Sequence, residues 1–257
     1  MDVVACLKRV PDIPDFVKIN ASGRDIERDR LVFKINDWDE YVVEEAVQLK
    51  EKLGGTFTAV TIGSEEFDDI LRRALALGAD RAIRINEDVT TADSYVVAKM
   101  LTALISSLPH DLVMFGMQSE DLSRGQLGPM VAEMLGIPHA AGVKRVEVQD
   151  REIRVSRELE GGTLELYTLK LPALLTIQTG INEPRYPSIL GIRRARSKEL
   201  RVMTIDELGI SRDALTPMVK LEKLDFPASG KEVEIISGSA EEAADKLATI
   251  LKDLGVF

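Results

Sequence analysis

The chain has 257 residues, of which 45% are hydrophobic and 30% charged, a balance typical of a globular protein with one large domain, or one domain and an extension. Its formal net charge of -10 argues against a nucleic-acid-binding protein, because phosphates are neutralised by distributed Lys and Arg. No apolar run approaches the roughly 20 residues of a membrane span, so we do not expect the protein to lie in the membrane.

The first half of the chain alternates short apolar runs with longer amphipathic stretches. In chain order we predict a strand at 2–7, a helix at 39–53, a strand at 57–63, a helix at 65–78 capped by Ser64, a strand at 79–85, a helix at 90–108 capped by Thr90 or Thr91, a strand at 111–117, and a helix that begins between Gly125 and Gly128 and ends at Gly136. This order predicts an α/β fold, with a mostly parallel sheet and helices on both faces.

After residue 140 the pattern changes to a period of two. Strands are predicted at 143–150, 151–160 and 163–171, either extending the same sheet or forming a small antiparallel flap, and a buried strand at 171–178. From 181 the periodicity is lost for some thirty residues, until a final helix over 237–255 with Ser239 as its cap. We therefore predict an α/β domain over 1–180, followed by an extended arm that needs a partner surface.

Three strand ends could hold a ligand, since ligands of parallel sheets bind beyond the carboxyl ends of the strands. The ends at 6–9 and 61–64 are two of them, and the third is DLVMFGMQSEDLSRGQLGPM at 111–130. Pro129 belongs in the first turn of a helix, so free amides flanked by Gly125 and Gly128 would suit a phosphate, with Ser123 and Gln126 as further donors. The alternative is a loop whose glycines only permit a tight turn.

The chain offers little for acid–base or metal chemistry. It has two histidines and one cysteine, and no CxxC or HExxH motif, so we predict no metal site. The single cysteine suits a reducing compartment, and the start MDVVACLKRV does not resemble a signal peptide, which together predict a cytoplasmic protein. Residue type and sequence position leave two interpretations open for each of two residues. Cys6 is a core residue or a ligand contact, and Trp38 is a packing anchor or a cofactor neighbour.

The segment INEPRYPSILGIRRARSK at 181–198 combines two prolines, an apolar Ile-Leu pair and a run of cations. Stiff flanks lower the entropy lost on docking, an apolar tip can fill a pocket, and cations speed encounter with an acidic partner. The alternative is that Ile189 and Leu190 pack onto their own subunit and the cations form a solvated face.

Several blocks in the same order resemble the beta subunits of electron transfer flavoproteins. They are LKRVPD, INDWDEYVVEEAVQLKEK, ILRRALALGADRAI, GMQSEDLSRGQLGPMVAEMLG, SRELEGG followed by LPALLTIQ, and NEPRYPSILGIRRARSK. The resemblance implies a Rossmann-like, adenine-nucleotide alpha hydrolase-like fold, a partner alpha subunit that holds most of the FAD contacts, and AMP in this chain. It also implies transfer of electrons from flavin-dependent dehydrogenases, such as acyl-CoA dehydrogenases, to a quinone reductase or other acceptor.

The resemblance also assigns nucleotide-site residues. They are Cys6, Asn36, Asp37, Trp38, Asp39, Ile62, Gly116, Gln118, Ser119, Asp121, Ser123, Arg124, Gly125, Gln126 and Leu127. Trp38 stands where an aromatic residue of the family lies beside the flavin. Gly125 and Leu127 replace an Asn and a Thr of some members, and TTADSY at 90–95 is similar to electron-bifurcating members, so a second FAD in place of AMP stays open.

The same resemblance makes 181–200 a recognition loop for the dehydrogenase and 201–257 an arm that packs on the alpha subunit. In that loop Ile189 is the anchor, and Leu190, Tyr186, Arg193 and Arg194 accompany it. No acid–base or nucleophilic catalysis is expected of this chain, which leaves open whether it counts as an enzyme. The rival interpretations are an enzyme of the same superfamily that adenylates or hydrolyses ATP, and a sensor that binds AMP.

Overall fold

The chain forms two compact units, Met1–Glu222 and Lys223–Phe257. They are seen in a computed structural model, which describes residues 1–13, 17–29, 31–227, 233 and 235–256. Residues 200–222 lie in the larger unit with the α/β domain. The expected packing of residues 201–257 on a partner subunit stays a prediction.

The larger unit is built on a nine-stranded sheet with the order β11-β5-β4-β1-β6-β10-β7-β8-β9, and β2 and β3 pair separately. The strands are β1 (Val3–Cys6), β2 (Arg9–Asp12), β3 (Val32–Ile35), β4 (Phe57–Ile62), β5 (Arg81–Ile85), β6 (Leu112–Gly116), β7 (His139–Gln149), β8 (Glu152–Glu158), β9 (Leu164–Lys170), β10 (Ala173–Ile177) and β11 (Leu200–Met203). The pairs from β11 to β7 are parallel. The pairs β7–β8 and β8–β9 are antiparallel.

Helices cover both faces of this sheet. They are α1 (Asp37–Leu53), α2 (Asp68–Leu77), α3 (Ser94–Ser106), α4 (Leu127–Leu135) and α5 (Ile189–Ala195), with α6 (Ala240–Asp253) in the smaller unit. One core joins α1, α2 and α5 to one face, and a second core joins α3 and α4 to the other. The central strands are buried on both faces, as parallel strands between two helix layers must be.

The predicted α/β fold is confirmed, and the strands after residue 140 extend the main sheet. Sequence reasoning missed four short elements: β2, β3, α5 and β11. Each strand has four residues, α5 has seven, and β11 buries only Met203 fully, so none is long enough to display a clear period. Met203 and the buried Ile205 join the core beside α3 and α4.

Two predicted helix caps are wrong. Helix α3 begins at Ser94 rather than at Thr90 or Thr91, because Asp93 caps it by accepting the amide of Val96 at 3.0 Å. Ser64 precedes a 3₁₀ turn, Glu65–Phe67, without a side-chain capping bond, and α2 starts only at Asp68.

The start of the final helix is confirmed. Ser239 accepts from the amide of Glu242, and Glu242 accepts from the amide of Ser239, which together form a capping box. The helix ends at Asp253, and Gly255 follows with a positive φ of 71°. Among the helices of the described ranges, none combines the length and the apolar composition that crossing a membrane requires.

Asp93 also fastens a distant part of the larger unit. Its second carboxylate oxygen accepts the amides of Met218 and Val219 at 2.8 and 3.0 Å. Burial opposes ionisation, but these bonds and those from the start of α3 outweigh it and hold the pKa of Asp93 below its usual value. One carboxylate therefore caps a helix and ties residues 218–219 to it.

We expect Asp93→Ala to lower the free energy of unfolding by about 2 kcal/mol, since it removes a cap, leaves the buried amide of Val96 without its acceptor and releases residues 218–219. Urea unfolding measures this change. The control is Asp206→Ala, because Asp206 is exposed and such surface changes usually stay within about 0.5 kcal/mol. Equal effects of the two substitutions would contradict the role of Asp93.

Candidate functional site

The candidate site lies where the order of the parallel strands reverses. Strand β1 pairs with β4 on one side and with β6 on the other. The chain builds β4 and β5 first and then crosses back over β1 to form β6. The carboxyl ends of β1 and β6, at Cys6 and Gly116, are therefore neighbours at a switch point, where ligands of open α/β sheets bind.

A buried pair, Asn36 and Asp39, fastens the loop that follows β6. The side-chain amide of Asn36 donates to the carbonyl of Gln118 at 2.9 Å and to Asp39 at 3.1 Å, and its oxygen accepts the amide of Glu120 at 3.0 Å. Asp39 accepts the amide of Lys8 at 2.7 Å. These two side chains therefore position the loop, and their predicted contact with a ligand stays a prediction.

Position 116 has room only for glycine, because Asp39 and Trp38 lie close to its backbone. A Cβ atom at position 116 would collide with the carboxylate oxygen of Asp39 and with Cβ of Trp38. The glycine predicted as a ligand contact thus has a packing role: it lets the first turn of α1 approach the end of β6.

Two lysines hold the next part of the loop. Nζ of Lys8 contacts both carboxylate oxygens of Asp121 at 2.6 Å and the hydroxyl of Ser119 at 3.2 Å. Nζ of Lys34 lies 2.7 Å from the Asp37 carboxylate and 3.4 Å from that of Glu120. Residues 118–121 are therefore attached to the ends of β1 and β3.

The remaining arc of the loop, residues 122–126, is exposed. Ser123 and Gly125 have positive φ values of 48° and 59°, a left-handed backbone that can turn successive N–H groups toward one point. Helix α4 begins at Leu127, within the predicted interval. The N–H groups of its first turn have no hydrogen-bond acceptor within the helix, as at the start of any α-helix. Arg124 and Gln126 are exposed on the same arc.

Cys6 and Ile62 end β1 and β4 and are buried in the core beside α3 and α4. Burial, and then the charge of Asp39, raises the pKa of the Cys6 thiol well above its usual value. Cys6 is therefore an uncharged residue at the base of the site.

Trp38 is half-buried, and its Nε1 donates to Oε1 of Gln178 at 2.8 Å. Sequence reasoning did not include Gln178, Lys34 or Glu120 among the site residues. Gln178 directly follows β10 (Ala173–Ile177), so the same strand-end argument applied to the predicted strand at 171–178 could have identified it.

The segment before α5 presents apolar side chains to solvent. Tyr186 is 89% exposed, Ile189 75% and Leu190 55%. Ser188 caps α5 by accepting the amide of Gly191, so Ile189 and Leu190 occupy its first turn. Arg193 and Arg194 are exposed in the same helix.

Both ends of this segment are fixed to the larger unit. Upstream, Arg185 donates to Glu44 at 2.8 and 2.9 Å and to Glu51 at 2.7 and 3.1 Å, which anchors it on α1. Downstream, Gly191 lies so close to the carbonyl of Ala76 that a Cβ atom would collide, and Arg72 donates to the carbonyl of Ala195 at 2.7 Å. An exposed apolar tip is therefore held between two rigid helices.

The fold and the site together define a doubly wound α/β protein with an exposed loop at its switch point, where ligands of such sheets bind. The model of the electron transfer flavoprotein domain matches residues 25–208. Similar proteins include the electron transfer flavoprotein subunit beta of Bacillus subtilis (strain 168), 35% identical over 98% of both chains, and that of Methylophilus methylotrophus, 33% identical over 98% of both. The chain belongs to the electron transfer flavoprotein family, among its beta subunits.

Asp39 should make stability depend on pH. Burial raises the pKa of Asp39 to about 7, against the opposing bonds from Lys8 and Asn36. Because an unfolded Asp has a pKa near 3.9, the unfolded state binds fewer protons between about pH 4 and 7. The contribution of Asp39 is therefore fully present below about pH 4 and is lost as the pH rises through about 7, by at most about 1.4 kcal/mol per pH unit.

We expect Asp39→Asn to remove this slope. The measurement is urea unfolding of the wild type and the variant across this pH range, with Asp206→Asn as the exposed control. The difference in free energy of unfolding between wild type and Asp39→Asn should shift steadily with pH, whereas the control should run parallel to the wild type. A constant difference for Asp39→Asn would contradict the titration of this group.

Proposed function

We propose that this chain is the nucleotide-holding half of an electron-carrying flavoprotein. In this proposal it pairs with an alpha subunit that holds most of the FAD, and the pair accepts electrons from flavin-dependent dehydrogenases and delivers them to a quinone reductase or another acceptor. Membership of the electron transfer flavoprotein family supports the proposal. The observation that carries it is the loop fastened at the switch point, whose exposed arc at 122–126 lies next to the N–H groups at the start of α4.

AMP is the ligand that we propose for this loop. A monophosphate needs a small set of backbone donors, which the arc at 122–126 and the start of α4 can supply, and the exposed Arg124 adds one cation. The exposed hydroxyl of Ser123 and amide of Gln126 add donors for the phosphate or the sugar. Cys6 and Ile62 supply the apolar base on which an adenine can lie.

The charge of the loop argues against an enzyme that uses ATP, because residues 117–126 carry one basic residue, Arg124, beside the acidic Glu120 and Asp121. Lys8 and Lys34 are engaged with Asp121, Asp37 and Glu120, so neither offers an unpaired ammonium to a triphosphate. Stabilising the charge that develops on a transferred phosphoryl group needs such cations or a metal. In the described part of the chain, no group of three or more His, Cys, Asp and Glu is arranged to hold a metal ion.

The flavin supplies the redox chemistry, and this chain supplies surfaces that position it. Trp38 is the residue that we propose to lie beside the flavin ring. We further propose that the tip at Tyr186, Ile189 and Leu190 docks on the dehydrogenase, with Arg193 and Arg194 beside it. Anchoring at both ends lowers the entropy lost on docking, which favours a transient but specific complex. A cytoplasmic location is part of the proposal.

Release of the bound ligands tests the proposed function. The assembled complex of this chain with its alpha subunit is denatured, and the small molecules in the supernatant are identified and quantified. We expect one AMP and one FAD per pair. Two FAD without AMP would replace the proposal with an electron-bifurcating subunit, and no flavin in a complex that contains the alpha subunit would overturn it.

We expect Ile189→Ala to weaken electron transfer from the dehydrogenase while leaving the complex with the alpha subunit intact. The lost side chain is worth about 1.5–3 kcal/mol if a partner pocket buries it, a loss of roughly 10- to 150-fold in affinity. Stopped-flow reduction of the flavoprotein by its dehydrogenase measures the effect.

Leu166→Ala is the matched control, because Leu166 is also exposed and lies on β9. It should leave the reduction kinetics unchanged. Kinetics of Ile189→Ala that equal those of the wild type would refute docking through this tip, whatever ligand the complex releases.

A further inference from the structure

Trp38 is held in one direction by a single hydrogen bond. It is the only tryptophan of the chain, and it lies in the first turn of α1 with its Nε1 donating to Oε1 of Gln178 at 2.8 Å. An indole N–H is a donor only, so it must face an acceptor when it is not solvated. The position of Gln178 therefore decides which way the indole points.

Gln178 is itself fixed by the central sheet. It directly follows β10, and its backbone N–H donates to the carbonyl of Val143 at 2.9 Å. Its Oε1 also accepts the amide of Thr179 at 2.9 Å. The hydroxyl of Thr179 donates to the same oxygen at 3.4 Å, so three donors converge on it and set the side-chain amide with its oxygen toward Trp38.

Gln178 also lines a cleft. This cleft, of about 450 Å³, is lined by Gln178 together with Met117, Gly142, Lys144 and Glu158 among others. A rotation of Gln178 would therefore release the indole and reshape the wall of the cleft at the same time. The bonds from the amide and hydroxyl of Thr179 to Oε1 oppose this rotation, while the backbone bond to Val143 holds the main chain of Gln178 in place.

We propose that Gln178 is a positioning residue, whose Oε1 fixes the indole of Trp38 and thereby sets how that ring meets the flavin of the assembled flavoprotein. The second half of this statement rests on the proposed function. The hold of Gln178 on Trp38 does not, and it can be measured without a flavin.

The first experiment uses the fluorescence of the single tryptophan in the full chain. Gln178→Met keeps the length of the side chain and removes the strong acceptor, whereas Gln178→Glu keeps two oxygens that accept from N–H groups. Gln149→Met, at an exposed position on β7, is the matched control. We expect Gln178→Met to shift the emission maximum and add a fast component to the anisotropy decay, with the held orientation about fivefold less populated.

Gln178→Glu and Gln149→Met should keep the wild-type emission and anisotropy, and circular dichroism verifies that all variants are folded. A purely packing role for residue 178 predicts the opposite order, with Met tolerated and the charged Glu disruptive. Wild-type emission and anisotropy in a folded Gln178→Met variant would overturn the proposal.

The second experiment uses the complex with the alpha subunit and FAD. Its readouts are the visible spectrum of the flavin and its midpoint potential, titrated with dithionite. We expect Gln178→Met and Trp38→Phe to shift both in the same direction and Gln178→Glu to restore them. If Trp38→Phe shifts them and Gln178→Met does not, the proposal is overturned. If neither substitution shifts the flavin readouts, although fluorescence shows that Gln178→Met releases the indole, then Trp38 does not lie beside the flavin. In that case Gln178 still fixes the orientation of Trp38.

Discussion

The structure depends on a buried polar pair at the point where two central strands end side by side. The side chains of Asn36 and Asp39 are buried, and buried polar groups need hydrogen-bond partners within the protein. The partners that they find are backbone groups of Lys8, Gln118 and Glu120, which come from the ends of β1 and β6. The requirement to satisfy two side chains therefore fixes the path of the ligand loop, and the glycine at 116 is the steric condition for it.

Much of this fold could be predicted from the sequence because its elements are long and periodic. The α/β order, the switch-point loop and the start of α4 were recognised from apolar spacing and from Pro129. The helix caps at Thr90 or Thr91 and at Ser64 were wrong, since a cap is chosen by tertiary contacts as well as by residue type. Asp93 caps α3 because it also binds residues 218–219, which are far away in the sequence.

The site shows the same division. Ligand contact by Asn36, Asp39 and Gly116 stays a prediction, and their long-range partners show positioning roles that the sequence does not reveal. Gln178 and Lys34 were missed because their contacts join separate elements of the fold. Sequence pattern identifies where a parallel sheet presents its loops, but it does not identify which polar side chains are used up in holding them.

Helix α1 has a consequence that extends along its whole length. Trp38 lies in its first turn and Glu51, one of the two anchors of Arg185, in its last. At about 1.5 Å per residue these positions are roughly 20 Å apart, so the helix sets the distance between Trp38 and the anchor of the segment before α5. One inserted residue would turn Glu51 by about 100° around the axis and away from Arg185. The ion pairs of Arg185 therefore depend on the number of residues in this helix, since an insertion changes both the distance and the direction of Glu51.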